Sequence, residues 1–202
     1  MKKKKIYGSP TKSESEREIN HKNLAREAAK EGIVLLTNNG VLPLKNQNIS
    51  LFGYGARMTV KGGTGSGEVQ ERKSISIEEG LKEGGFIFNT LHLERAEITY
   101  RQTIDKYEAT KQRTASKFTP IQTMKMFITL GNIPRPTPSA SKILDDEIDD
   151  KDVAIYVISR QAGEGHDRTL TKGDYYLSDI EESNIKKLSS LYPYLVLILN
   201  TG

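Results

Sequence analysis

The sequence contains no cysteine, and this absence rules out both disulfide bonds and thiolate metal sites. A chain without thiols is compatible with a reducing compartment, and we expect this one in the cytoplasm. Apolar runs long enough to cross a bilayer are also missing, so no membrane partner is expected. The length and the apolar content suit one domain with a real core.

The amino terminus lacks the apolar segment that an export signal needs. Four lysines follow Met1, but Ile6–Pro10 supplies no apolar core after them. Elsewhere the 30 basic and 26 acidic side chains are interspersed, and no basic stripe with aromatic residues follows the lysine run. We therefore predict that residues 1–12 form a disordered basic start and that nucleic acid is not a partner.

Helix and strand patterns alternate along the chain, which indicates a parallel sheet covered by helices. Serine or threonine followed three residues later by glutamate predicts helix starts within residues 11–18 and at Ser76 and Ser178. Apolar runs predict short buried strands at residues 33–37 and 49–54 and further strands at residues 86–91, 151–160 and 195–199. Residues 94–141 interrupt the alternation. We interpret this segment as an insertion, partly helical and ending in a proline-rich connector.

An apolar strand is followed by a loop dense in reactive groups between Val153 and Arg168. Val153–Ile158 has the pattern of a strand buried on both faces. Beyond it come Arg160, Gly163, Glu164, Gly165, His166, Asp167 and Arg168. Ligands bind beyond the carboxyl ends of such strands, and the two glycines allow Glu164 to approach a substrate closely. His166 has no serine or cysteine partner motif and no second histidine nearby for a metal.

A second loop that could bind a ligand, Gly62–Gly67, is rich in glycine but does not fit a phosphate-binding motif. It lacks the Gly-Lys-Ser/Thr ending of a P-loop, and Gly53-Tyr54-Gly55 lacks the third glycine of a dinucleotide fingerprint. A flexible surface loop is the alternative interpretation.

Four blocks of the sequence resemble the C-terminal α/β sandwich domain of glycoside hydrolase family 3, and they occur in the order found in that family. The blocks are Leu24–Asn38 with Leu42–Leu44, Gly62–Gly67, Gly163–Arg168 with Lys172–Ser178, and Leu199–Gly202. The resemblance implies a three-layer α/β/α sandwich around a mostly parallel sheet. It would occupy residues 13–202, with the insertion at about 94–141, and would be truncated at its C-terminal end.

The resemblance also implies roles for particular residues. Glu164 corresponds to the general acid/base of a retaining β-glucosidase-type enzyme, and Ser66 and His166 are expected to contact the sugar. Loop support is expected from Arg160, Asp167, Arg168, Gly63, Gly65, Gly163 and Gly165. No metal or organic cofactor is expected. The substrate would be an oligosaccharide or a β-glucoside, and the sugar and linkage stay open because several glycosidase activities occur on this architecture.

The family's nucleophilic aspartate belongs to a (β/α)8 barrel domain, which these residues do not include. We therefore expect the isolated chain to be inactive as a hydrolase. Met1 stands only a few residues before the predicted first helix, which favours a parent with the sandwich domain first over an excised domain. A noncatalytic α/β module that binds carbohydrate or another ligand is the alternative function.

Overall fold

The structure of the protein is a computed structural model, which describes residues 13–45, 47–62, 72–131, 133, 136–161 and 168–201. The predicted disordered start, residues 1–12, lies outside this part of the chain. The chain divides into two compact units, Met1–Pro43 and Leu44–Gly202.

The first unit contains helix α1, Glu16–Gly32. A capping box begins it: the Ser15 hydroxyl accepts the Glu18 N–H, and the Glu18 carboxylate accepts the Ser15 N–H at 2.7 Å. The buried strand predicted at residues 33–37 is wrong, because Ile33 to Leu36 form no strand and are 63 to 77% exposed. An apolar run becomes a buried strand only beside a partner strand and a core, and α1 itself buries no residue.

The second unit is built on a parallel sheet, as predicted. Its strands among the described residues are β1 (Ser50–Phe52), β2 (Val153–Arg160) and β3 (Tyr194–Thr201), in the order β1-β2-β3. Ser50 lies opposite Ala154, and Val153 lies opposite Tyr194. All three strands run in one direction, so their carboxyl ends share one edge of the sheet.

Helices α2 (Ile77–Glu83), α3 (Leu91–Ala115), α4 (Thr123–Gly131) and α5 (Asp179–Leu191) belong to the same unit. The capping boxes predicted at Ser76 and Ser178 are confirmed, since each hydroxyl accepts the backbone N–H three residues on. Two glycines, Gly84 and Gly85, follow α2, and Gly85 has a positive φ of 82°.

Successive side chains of β2 enter different clusters, which places the sheet between two helical layers. Val153, Ile155 and Val157 pack in a cluster with partly buried residues of α2. Ala154, Tyr156 and Ile158 pack in the other, with α5 residues that include Leu188. This arrangement confirms the α/β/α class, because a strand covered on both faces alternates between two cores.

The strand predicted at residues 86–91 is wrong. Only Ile87 pairs there, in a single parallel bridge to Asn48, and Leu91 begins α3. The first turn of α3 buries His92 and Leu93, so burial in a helix competes with extension of the strand. The assignment of residues 94–141 as an insertion stays a prediction.

A buried ion-pair cluster joins α3 to the segment before β2. Nδ1 of His92 lies 3.0 Å from Oε2 of Glu147, and Nε of Arg95 donates to Oε1 of the same carboxylate at 2.6 Å. Burial alone would raise the pKa of Glu147, but hydrogen bonds from Arg95, the Leu144 N–H and His92 lower it to about 2. Burial lowers the pKa of His92.

None of the helices in the described ranges combines the length and apolar character needed to cross a membrane.

Candidate functional site

The chain leaves β1 through a segment that lies directly against the end of β2. We call residues 53–62 the crossing segment. Gly53 has a φ of +90°, and a Cβ built on it would lie 2.1 Å from the carbonyl oxygen of Val157. A Cβ on Gly55 would lie 1.9 Å from Oγ of Ser159. Glycine at both positions therefore lets the crossing segment pack against the carboxyl half of β2.

The far end of the crossing segment is tied to both β2 and β3. Oδ1 of Asn200 accepts the Val60 N–H at 2.6 Å, and Nδ2 of Asn200 donates to the Val60 carbonyl at 2.9 Å. Beyond β2, Nε2 of Gln161 donates to the carbonyl oxygen of Gly62 at 2.6 Å. Gly62 is the first residue of the glycine-rich loop and Gln161 precedes residues 162–167, so the stems of the two predicted loops are joined by a hydrogen bond.

Arg160, the last residue of β2, is held by a buried two-pronged ion pair. Its Nη1 and Nη2 each donate to one carboxylate oxygen of Glu181 at 2.7 Å. The Glu181 carboxylate also accepts the Ser178 N–H at 2.8 Å, which caps α5. Burial would raise the pKa of Glu181, but the hydrogen bonds from Arg160 and Ser178 outweigh burial and lower it.

Asp174 binds the residues that directly follow segment 162–167. Its carboxylate accepts the Thr169 N–H at 2.6 Å and a bond from Nη1 of Arg168 at 2.9 Å. Hydrogen bonds from Thr169 and then from Arg168 lower the pKa of Asp174 to about 2. Its backbone carbonyl accepts Nε of Arg160 at 2.7 Å. The residues that follow the predicted acid/base loop are thus fixed to the end of β2.

A cleft of about 420 Å³ opens beside these groups, between residues 137–140 and residues 168–181. Its volume is within the usual range for small-molecule sites. Arg160, Gln161 and Arg168 line it, so both stems of segment 162–167 border the cleft. The cleft is also lined by Asp174 and Glu181, whose lowered pKa values keep both ionised near neutral pH. Neither of them is suited to donate a proton there.

Two of the predicted site residues, Arg160 and Arg168, are described, and both bind Asp174. The other predicted site residues lie outside the described residues, and their roles stay predictions: Glu164, Ser66, His166, Asp167, Gly63, Gly65, Gly163 and Gly165. Within the ranges that the structure describes, no group of three histidine, aspartate or glutamate side chains could hold a metal ion.

Sequence reasoning missed three residues of this edge: Gln161, Glu181 and Asn200. Glu181 was recognised only as a helix cap, although its carboxylate also binds Arg160. For Gln161 and Asn200 the available signal was a polar side chain at the end of an apolar strand, because such a group needs a partner when it is partly buried.

Comparisons with known proteins agree with this arrangement. A family model described as the glycosyl hydrolase family 3 C-terminal domain matches residues 33–202. A β-glucosidase of Ruminococcus albus is 33% identical over 185 residues, which cover 88% of this chain and 17% of that protein. β-Glucosidase A of Butyrivibrio fibrisolvens is 30% identical, with 90% of this chain and 22% of that protein covered.

Among solved structures, β-glucosidase 3B of Thermotoga neapolitana in complex with α-D-glucose has a TM-score of 0.68 and 36% sequence identity. The match covers 90% of this chain and 24% of that one. The chain thus spans about a quarter or less of each of these relatives. Because the family model extends over most of the sequence and the sheet has the expected parallel order, the chain belongs to glycoside hydrolase family 3 and matches its C-terminal domain.

Proposed function

We propose that this chain is the acid/base-bearing domain of a retaining β-glucosidase, with Glu164 as the general acid/base. The nucleophilic aspartate would come from a (β/α)8 barrel domain outside these residues. Ser66 and His166 would contact the sugar, and Arg160, Asp167, Arg168 and the loop glycines would support the two loops.

The hydrogen bond between Gln161 and Gly62 is the observation that carries this proposal. It joins the stem of the Glu164 loop to the stem of the glycine-rich loop at the carboxyl edge of a parallel sheet, beside a cleft. Ligands of open α/β sheets bind at this edge. Two loops that start from one point can both reach a substrate bound there.

The charges around the cleft are compatible with a protonated Glu164. A free guanidinium close to a carboxyl group lowers the pKa of that group, which would work against a general acid. Arg160 is paired with Glu181, and Arg168 with Asp174. Each pair has no net charge, so the two arginines depress the pKa of a neighbouring carboxyl group less than two unpaired cations would.

The proposed reaction has two steps. In the first, the barrel aspartate attacks the anomeric carbon while the protonated Glu164 gives its proton to the leaving glycosidic oxygen. In the second, the ionised Glu164 takes a proton from water, the water oxygen attacks the anomeric carbon, and the aspartate leaves. The two carboxyl groups would need to stand about 5 Å apart.

A β-glucoside substrate is part of the proposal. The relatives compared above are named β-glucosidases, and one solved relative holds glucose, but this chain spans only 17 to 24% of those proteins. The groups that select the sugar can lie in the remainder. Substrate identity is therefore tested directly, on the natural gene product that contains this chain.

The test compares Glu164→Ala with the unsubstituted enzyme on aryl glucosides that have good and poor leaving groups. Without the acid, turnover of the poor-leaving-group substrate should fall about 10²–10⁴-fold, and turnover of the activated substrate should fall far less. Azide should partly restore turnover of the activated substrate. Glu83→Ala is the matched control, because Glu83 is exposed and its contact is a surface pair with Lys73 at 3.8 Å.

Equal losses on both substrates would show that Glu164 does not protonate the leaving group. If the unsubstituted protein binds glucosides without hydrolysing any of them, the noncatalytic binding module is the better assignment. The 202-residue chain tested alone should release no aryl alcohol, since one carboxyl group cannot carry out both steps. Turnover by the purified chain that disappears in Glu164→Ala would contradict this last expectation.

A further inference from the structure

The side chain of Asn200 reproduces the hydrogen bonds of a peptide group. One amide pairs with both backbone groups of Val60, accepting from its N–H and donating to its carbonyl. Oδ1 accepts a further bond from the Ser159 hydroxyl at 3.0 Å. The residues that meet are far apart in sequence, so these bonds fix the crossing segment to the ends of β2 and β3.

At neutral pH, no other type of side chain of this size can make the same pair of bonds to Val60. An ionised aspartate could accept the Val60 N–H, but its second oxygen would face the Val60 carbonyl oxygen and repel it. A protonated aspartate has the missing donor and could restore the pair. The position therefore distinguishes an amide, a carboxylate and a carboxylic acid.

A single residue, Lys61, separates the Asn200 contact from the Gln161 contact in the crossing segment. Val60 is held by Asn200, and the Gly62 carbonyl accepts from Gln161. A displacement at Val60 would therefore change the position of Gly62 relative to the stem that precedes Glu164. Misplacement of substrate-positioning groups by about 1 Å can lower catalytic efficiency, kcat/KM, by up to about 10²-fold.

We infer that Asn200 is a positioning residue: its amide sets the place of Val60 and Gly62 relative to Gln161, the residue at the start of the stem that leads to Glu164, and thereby the affinity for substrate. The effect on substrate rests on the proposed function. The clamp on Val60 does not, and it can be measured separately in this chain.

The first experiment measures amide hydrogen exchange by NMR in the 202-residue chain and in Asn200→Ala. The Val60 amide should exchange about 10-fold faster in the variant, because without its acceptor the Val60 N–H becomes accessible through a more favourable local opening. Amides of the central strand β2 should keep their protection. Asn89→Ala is the matched control: it removes an amide that donates to Asp149 at 2.8 Å, beside the first residue of β1. It should leave Val60 unchanged, and unchanged exchange of Val60 in Asn200→Ala would refute the clamp.

The second experiment measures kcat and KM on the natural gene product. Asn200→Ala should raise KM for an aryl glucoside about 10-fold and change kcat less, because the proton donor is intact and the sugar contacts are misplaced. Asn200→Asp should show the same defect at neutral pH and recover as the pH falls through the range in which its carboxyl group protonates. Asn89→Ala should keep the unsubstituted KM at every pH.

The outcomes separate the two proposals. If Val60 is loosened but KM and its pH dependence stay unchanged, Asn200 is only structural and the positioning role is wrong, while the hydrolase assignment stands. If the unsubstituted protein hydrolyses no glucoside, the proposed function fails, and the inferred effect on substrate fails with it. Recovery of Asn200→Asp at low pH, without recovery of Asn200→Ala, is the result that a general loss of stability would not produce.

Discussion

The close packing of Gly53 against β2 predicts that adding a single methyl group at this position will greatly lower the stability of the chain. A Cβ added to Gly53 would lie 2.1 Å from the Val157 carbonyl oxygen, and its φ of +90° is unfavourable for any residue with a Cβ. Val157 belongs to the central strand, which is paired on both sides, so its backbone cannot move away easily. Gly53→Ala therefore combines a conformational penalty with a steric one.

Two other glycines separate these penalties. Gly173 also has a positive φ, +85°, but its added Cβ would meet only the Ser178 Cβ, at an ordinary 3.8 Å. Gly80 lies inside α2, where the nearest contact is 3.9 Å away. Gly173→Ala should cost about 1–2 kcal/mol for the left-handed conformation alone. Gly80→Ala should stabilise the chain by about 0.5–1 kcal/mol, because alanine favours a helix.

Adding about 1–3 kcal/mol for overpacking to the same conformational cost gives about 2–5 kcal/mol for Gly53→Ala. Urea unfolding followed by circular dichroism would measure all three variants, with unchanged m values as evidence of a common transition. The expected order of midpoints, from highest to lowest, is Gly80→Ala, the unsubstituted chain, Gly173→Ala and Gly53→Ala. Equal midpoints for Gly53→Ala and Gly173→Ala would refute the close packing of the crossing segment on β2.

Three further predictions concern the ion pairs and the sugar. Arg160→Met should destabilise the chain by about 3–5 kcal/mol in urea unfolding, because it leaves the buried Glu181 carboxylate without its cation, and a loss below 1 kcal/mol would contradict this. The pKa of Glu147 is lowered from 4.5 to about 2, so its stabilising effect is present above pH 4.5 and is lost as the pH falls towards 2. The lowered pKa of His92 adds a loss that starts below about pH 6.5, where the unfolded chain takes up the proton first. Urea midpoints between pH 2 and 7 should fall less steeply in Glu147→Gln, and an identical slope would count against the cluster. Ser66→Ala should weaken sugar binding by the natural gene product by about 1 kcal/mol without lowering its thermal stability, and an unchanged KM would remove Ser66 from the site.

Local sequence signals predicted three of the helix starts and the two long strands, β2 and β3. The capping boxes at Ser15, Ser76 and Ser178 were all found, because the bonds they make involve residues three apart. The central strand β2 was predicted because every residue from Val153 to Ile158 is apolar, and both of its faces are covered by helical layers. Such signals need no knowledge of the rest of the chain.

Features that depend on partners far away in the sequence could not be predicted. The apolar run at residues 33–36 has strand character, but burial requires a neighbour that the sequence does not specify. The bond from Gln161 to Gly62 joins residues 99 apart in sequence, and the clamp of Asn200 on Val60 spans 140. Each is made by a single side chain without periodicity, so pattern reading could point to the edge of the sheet but not to these contacts.

The pairing of β1 has a consequence for how the protein is made. Among the described strands, β1 pairs only with β2, whose matching residue Ala154 is synthesised about 100 residues after Ser50. At about 5–20 residues per second, the ribosome needs roughly 5–20 s to supply that partner. During this interval Leu51 and Phe52, both fully buried in the finished fold, belong to a chain that lacks the strand with which they pair. The nascent protein therefore has a period of several seconds in which chaperone binding or aggregation competes with the completion of its sheet.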